Sequence, residues 1–199
     1  MLYPYICNIF IFMLLYFKIK NKLGGNFMEN TRKIETKSLT KMAILAALIF
    51  FGTYFIKIPG INGYTHFGDC MIFIAVLIVG TKKGALSAAV GASLADLLGG
   101  YAQWIIHTFF IKAIMATIMG VITEKAFPNL KFGWLIGAIL GGIFQIIGYT
   151  LVRIPLYGLT FAIAEVPGIV FQTLSGIILS AIIISILSQA NVIKKLKEM

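Results

Sequence analysis

Six apolar runs, at about 40–58, 69–80, 84–99, 104–123, 132–152 and 164–189, fill the sequence from residue 40 onward. Only short polar segments separate them. A helix that crosses a bilayer needs about 20 mostly apolar residues, so each run is a candidate span. The second is short for one and is expected to extend at one end or to tilt. Of the 199 residues, 59% are hydrophobic and 12% charged, with mean hydropathy +0.95. Soluble domains are roughly 45–50% apolar and about 25% charged. A soluble core cannot absorb the excess, because the apolar surface left over would face water. The long apolar runs and 13% aromatics also exclude a disordered chain. The expected fold is an all-α membrane protein, a bundle of six transmembrane helices over residues 40–190. Six spans leave no room for a soluble catalytic or nucleotide-binding domain.

The formal net charge of +10 reports orientation. Cytoplasmic loops of membrane proteins carry an excess of Lys and Arg. With the N-terminus inside, the inner segments hold Arg32, Lys33, Lys37, Lys41, Lys82, Lys83, Lys125, Lys131, Lys194, Lys195 and Lys197. The outer segments hold Lys57 and Arg153, and Lys112 falls within a span. Eleven against two predicts both termini in the cytoplasm, with a basic N-terminal segment at 28–39 and a basic tail at 191–199. The basic residues form no aromatic-interleaved clusters, so no nucleic-acid partner is expected. Cys7 and Cys70 lack CxxC spacing, which supports neither a disulfide framework nor a metal site.

Residues 1–27 are a doubtful N-terminal extension. The apolar stretch from Tyr3 to Phe17 is followed, not preceded, by Lys18, Lys20 and Lys22, the wrong order for a signal peptide. Leu23-Gly24-Gly25 can be encoded by a sequence containing AGGAGG, a bacterial ribosome-binding site, a few nucleotides before the Met28 codon. Translation is therefore expected to start at Met28.

Small residues predict how the helices pack. Gly133, Gly137 and Gly141 put three glycines on one face of the fifth run, and Gly84, Ala88, Ala92 and Ala95 make a similar stripe on the third. Such stripes let backbones approach closely in lipid. Ala43 and Ala47 form another small pair on the first run, open to internal packing or to a partner helix.

Ionisable residues inside a membrane mark function by default. On this topology the outer loops lie at about 59–68, 100–103 and 153–163. His66, Asp69, Asp96, His107, Lys112, Arg153 and Glu165 all fall in or near those loops. Asp69, Asp96 and Glu165 balance Lys57, Lys112 and Arg153, a neutral cluster drawn from five of the six runs. Tyr54, Tyr64, Tyr101, Trp104 and Tyr157, with Asn62 and Gln103, surround it. One reading is structural: Asp69 or Asp96 pairs with Lys112 and holds helices together. Yet buried pairs are often no better than apolar packing. Catalysis would need a constellation such as GxSxG with a His base or HExxH, and neither occurs. The third reading is a pocket open to the outside, in which flat rings and convergent polar groups hold a small heteroaromatic molecule. In it Asp69 and Asp96 orient Lys112. There is no GxxxxGK[ST] loop for nucleotide phosphates, so energy must come from another subunit.

The segments Gly63-Tyr64-Thr65-His66-Phe67-Gly68-Asp69, Ala95-Asp96-Leu97-Leu98-Gly99-Gly100-Tyr101 and Thr108-Phe109-Phe110-Ile111-Lys112 resemble an S component of an energy-coupling factor (ECF) transporter. The resemblance spans about residues 40–190 and departs from the pattern at Ile106 and Ala113, where Pro and Gly are usual. It implies a non-enzymatic, substrate-binding subunit in a prokaryotic plasma membrane that captures a vitamin or related nutrient from outside. It implies a transmembrane T component and two ABC-type ATPases as partners, and no cofactor or metal. The implied substrate-binding residues at motif positions are His66, Asp69, Asp96, Tyr101 and Lys112; Asn62, Tyr64, Trp104, His107, Arg153 and Glu165 join them from the polar cluster. It also assigns Ala43 and Ala47 to the face that meets the T component. Pyridoxine-like, hydroxymethylpyrimidine-like, riboflavin-like and folate-like compounds all suit such a pocket, with the smaller ones preferred. The alternative is a structural or regulatory membrane subunit without its own ligand.

Overall fold

The computed structural model describes residues 36–59, 64–130, 132–189 and 193. The doubtful extension at 1–27, the basic tail at 191–199 apart from residue 193, and Asn62 lie outside the described residues, as does 28–35 of the basic N-terminal segment. The first helix, α1 (Thr36–Tyr54), buries Met42, Leu45, Ile49 and Thr53. Their spacing of three and four is one face of a helix. The opposite side exposes Leu39, Ile44, Leu48 and Phe51. Beyond it, β1 (Lys57–Pro59) pairs antiparallel with β2 (Tyr64–His66), with Lys57 opposite His66 and Pro59 opposite Tyr64.

The next helix, α2 (Asp69–Val79), has 11 residues. At 1.5 Å per residue it is about 16 Å long, roughly half a hydrocarbon core. It does not extend beyond the short apolar run: Gly68 opens it and Gly80, at φ +82°, ends it. Ile72, Phe73, Ala75 and Val76 are all buried, so α2 is the centre of the packing. Gly80 then leads directly into α3 (Thr81–Gly99). A Cβ on Gly84 would stand 2.6 Å from the Val76 Cα. Ala88, Ala92 and Ala95 continue that tight seam, all buried. The small-residue stripe is thus an internal packing surface.

A 3₁₀ turn (Ala102–Trp104) leads into α4 (Ile105–Val121), which finishes in a π turn (Ile122–Ala126). The long α5 (Gly133–Tyr157) follows, then the short α6 (Leu159–Ala164) and α7 (Val166–Gln189). The glycine ladder on α5 is internal too. Cβ atoms at 133, 137 and 141 would meet the carbonyl oxygens of Phe127, Met119 and Met115 at 2.7, 2.6 and 2.7 Å.

Four helical segments, Thr36–Tyr54, Ala102–Ala126, Gly133–Tyr157 and Leu159–Ser188, are long and apolar enough to cross a membrane. Large apolar side chains such as Phe110, Ile147, Leu151 and Ile178 cover the outside. A core this buried beneath a surface this apolar belongs in lipid, and the chain is an α-helical membrane protein.

Candidate functional site

One cleft gathers polar side chains from α1, the hairpin, α3, the 3₁₀ turn, α4, α5 and the start of α7. The hairpin supplies Tyr64, Thr65 and His66, α1 supplies Thr53, and the end of α3 supplies Asp96. Trp104 comes from the 3₁₀ turn, Thr108 from α4, and Tyr149 and Arg153 from α5. Glu165, Gly168, Ile169 and Gln172 close the side made by α7.

The aromatic wall is organised around Trp104, which is 4% exposed. Its ring centroid is 5.7 Å from Tyr149 and 6.3 Å from Tyr157. The Arg153 guanidinium carbon sits 5.0 Å from the Trp104 ring centre, within cation–π range. Glu165 meets Arg153 only loosely, at 3.8 Å. Trp104 Nε1, Arg153 Nε and Nη1, and Asp96 Oδ2 are buried without a hydrogen-bond partner among the described residues. Buried polar groups are normally satisfied, and an orphaned one calls for an explanation. All three residues line the cleft, as does Thr53, whose Oγ1 is likewise buried without a partner among the described residues. The cleft wall thus carries unused donors and acceptors that suit a polar planar molecule.

Asp96 is anchored on its other side. The Tyr64 hydroxyl donates to Asp96 Oδ1 at 2.6 Å. Burial, then the Asp96 charge and that hydrogen bond, push the Tyr64 hydroxyl above its ordinary pKa, so it stays a donor. Tyr101 lies outside the lining, its ring 4.8 Å from that of Tyr64. Lys57 Nζ caps this group, 4.6, 5.3 and 5.9 Å from the rings of Tyr54, Tyr64 and Tyr101.

His66 is neutral. Its buried Nδ1 accepts from the Gly68 N–H at 3.1 Å. Burial pulls its pKa from 6.5 down to about 3, the Lys112 charge pulls the same way, and Asp69 opposes. A lowered histidine pKa means that the unfolded chain binds the proton better between those values. Stability from His66 is therefore full above pH 6.5 and is lost as pH falls towards 3. At pH 5 the loss is about 2 kcal/mol. Thermal unfolding in detergent at pH 7.5 and pH 5 is expected to show this drop, and His66→Gln is expected to reduce it.

Beneath the cleft lies a sealed network. Lys112 and Asp69, both fully buried, form a salt bridge. Lys112 Nζ also donates to Gln145 Oε1 at 2.5 Å, and Gln145 Nε2 donates to Asp69 Oδ2 at 2.7 Å and to Thr173 Oγ1 at 3.0 Å. Gln172 Nε2 donates to the same Asp69 Oδ2 at 3.1 Å. Four helices (α2, α4, α5 and α7) meet at this one ion pair. Asp96 does not share it directly, because its carboxylate is turned to Tyr64.

Of the side chains singled out by sequence, Tyr64, His66, Asp96, Trp104, Arg153 and Glu165 line the cleft together. Asp69 and Lys112 lie sealed below it. His107 stands apart from the lining, its Nδ1 2.9 Å from the Gln103 carbonyl oxygen. Thr53, Thr108, Tyr149, Gln145 and Gln172 escaped sequence reasoning, which weighed mainly ionisable groups. An amide within an apolar run, as at Gln145 and Gln172, is the signal that would have found the last two.

A family model described as "ECF-type riboflavin transporter, S component" matches residues 33–189. The chain is also 36% identical over 124 residues to an uncharacterized protein in the gap 3′ region of Pyrococcus woesei. That alignment covers 62% of this chain and 82% of the archaeal protein.

Proposed function

The chain belongs to the ECF-type riboflavin transporter S-component family, a substrate-binding membrane subunit of a vitamin importer, and from that premise we propose that its cleft captures a flavin-like vitamin from outside the cell. The observation that carries this reading is the set of orphaned groups, Arg153 Nε and Nη1, Trp104 Nε1 and Asp96 Oδ2, beside the Trp104 and Tyr149 rings. A planar heteroaromatic ring with donors and acceptors on its edge is the class of ligand that such groups suit. A purely structural cluster accounts for Asp69 and Lys112, whose charged atoms all have partners, but not for these open groups.

The chain crosses the membrane six times with both termini inside, and the cleft faces out. Supporting this, Lys82, Lys83 and Lys125 share one end of the bundle, where Glu124 accepts from the Thr81 N–H at 2.9 Å. The hairpin, Asp96 and Arg153 lie at the opposite end. ATP hydrolysis resides on two ABC-type partners, joined through a T component that meets the α1 face carrying Ala43 and Ala47. The site of action is a prokaryotic plasma membrane.

Riboflavin binding to detergent-purified protein, read by quenching of flavin fluorescence, tests the cleft. A hydrogen bond to a charged group contributes about 1.5–3 kcal/mol, so Arg153→Met and Asp96→Asn are each expected to weaken binding about tenfold or more. Wild-type affinity in both variants would place the vitamin elsewhere.

A further inference from the structure

Among the described residues, Gln172 alone both lines the cleft and hydrogen-bonds to the sealed ion pair. A carboxamide has a donating and an accepting end, and its neighbours decide which way round it sits. Lys112 has donors only, so the end of Gln145 that meets Nζ is its carbonyl. Gln145 then turns its NH2 to Asp69. The Asp69 carboxylate accepts only, so it takes the NH2 of Gln172 as well. The backbone of α7 is pinned at this level, because a Cβ on Gly176 would stand 2.8 Å from the Asp69 Cβ. The orientation is thus dictated in sequence: Lys112 sets Gln145, the two hold Asp69, and Asp69 holds Gln172.

We infer that the buried Lys112–Asp69 pair fixes the Gln172 carboxamide with its Oε1 turned to the cleft, making Gln172 a specificity-determining acceptor that selects a ligand presenting a hydrogen-bond donor there. This rests on the reading of the cleft as the vitamin site. Turning the amide over would set its carbonyl against the Asp69 carboxylate, so the protein cannot adapt to a ligand that offers an acceptor instead. Two acceptors would then face one another in a buried site, and the Gln172–Asp69 hydrogen bond would be lost even though Gln145 still donates to that carboxylate oxygen. Gln172, Asp96 and Glu165 bring acceptors to the cleft, and Arg153 and Trp104 bring donors. A ring edge or side chain bearing both N–H or O–H groups and carbonyl oxygens fits; a ligand of acceptors alone does not. Asp69 and Lys112 are positioning residues in this scheme and need not touch the ligand.

Orientation is read without any ligand, from the exchange of the side-chain amide protons of 15N-labelled Gln172 in detergent-purified protein. Slow exchange in the wild type and fast exchange in Asp69→Asn are the expected results. Fast exchange in the wild type overturns the inference, whether or not riboflavin binds. Gln172→Met, which keeps the side-chain volume and leaves Asp69 bonded to Lys112 and Gln145, is expected to weaken riboflavin binding about tenfold. Asp69→Asn weakens it as well, yet adds nothing further in the Gln172→Met background. Full additivity of the two losses, or wild-type affinity in Gln172→Met, overturns the inference. Failure of the wild type to bind riboflavin sinks the flavin reading of the cleft alone, since the amide measurement decides the orientation independently.

Discussion

Lys112→Met is expected to be the most destabilising single substitution in the polar cluster. Lys112 is fully buried, and the charge it neutralises on Asp69 is equally sealed. Without the ammonium, Asp69 keeps amide donors from Gln145 and Gln172 but no countercharge. Removing one partner of a buried pair costs about 3–5 kcal/mol. In a membrane the lower end of that range applies, because unfolded helices there also find polar partners. Thermal unfolding in detergent micelles is expected to show a clear fall for Lys112→Met. The double variant Lys112→Met/Asp69→Asn should recover much of it, because a neutral amide at position 69 no longer strands a charge. A Lys112→Met variant as stable as wild type would mean that the pair holds nothing together. Recovery in the double variant would show that the pair is dispensable for the fold, leaving the positioning of Gln172 as its reason to be there.

The helices were legible because lipid exposure demands long apolar runs, and five of the six runs overlap long helices, with ends displaced by up to five residues. The glycine ladder of α5 was equally legible, since close backbone approach at Gly137 and Gly141 leaves a spacing of four in the sequence. What failed were features set by tertiary context. Strands of three residues at 57–59 and 64–66 are too short to show a period, so the apolar run through Ile58 read as helix although α1 stops at Tyr54. At the other extreme, α5 continues past 152 to Tyr157. Arg153 does not end it, because its guanidinium folds over Trp104 in the cleft. Pro155 sits in the last turn, where losing one N–H removes a single helix bond. The ion pair of Asp69 with Lys112 was foreseeable from charge balance, but the choice of Tyr64 by Asp96 was not, because it depends on how the hairpin lies over α3. Gln145 was missed for a simpler reason: as an uncharged side chain it left the charge count unchanged.

Ala43→Trp and Ala47→Trp are expected to abolish vitamin uptake while leaving the solitary subunit folded and able to bind. The sequence left two uses open for this pair, and the burial pattern of α1 argues against internal packing. Met42, Leu45 and Ile49 face the core, whereas Ala43 and Ala47 are exposed. A larger side chain at 43 or 47 therefore meets nothing inside the subunit. One helical turn apart, the two methyls point the same way and leave a shallow notch between Leu39, Ile44, Leu48 and Phe51. A notch of small residues is what another helix needs for close approach in lipid, and an indole would fill it. Three measurements belong together: riboflavin affinity of the purified subunit, co-purification with the T component and ATPases, and uptake by cells. Docking through this face gives normal affinity with loss of both the complex and uptake. If the Trp variants lose ligand binding instead, Ala43 and Ala47 pack inside the subunit. If they keep the complex and transport normally, the T component meets another side of the bundle.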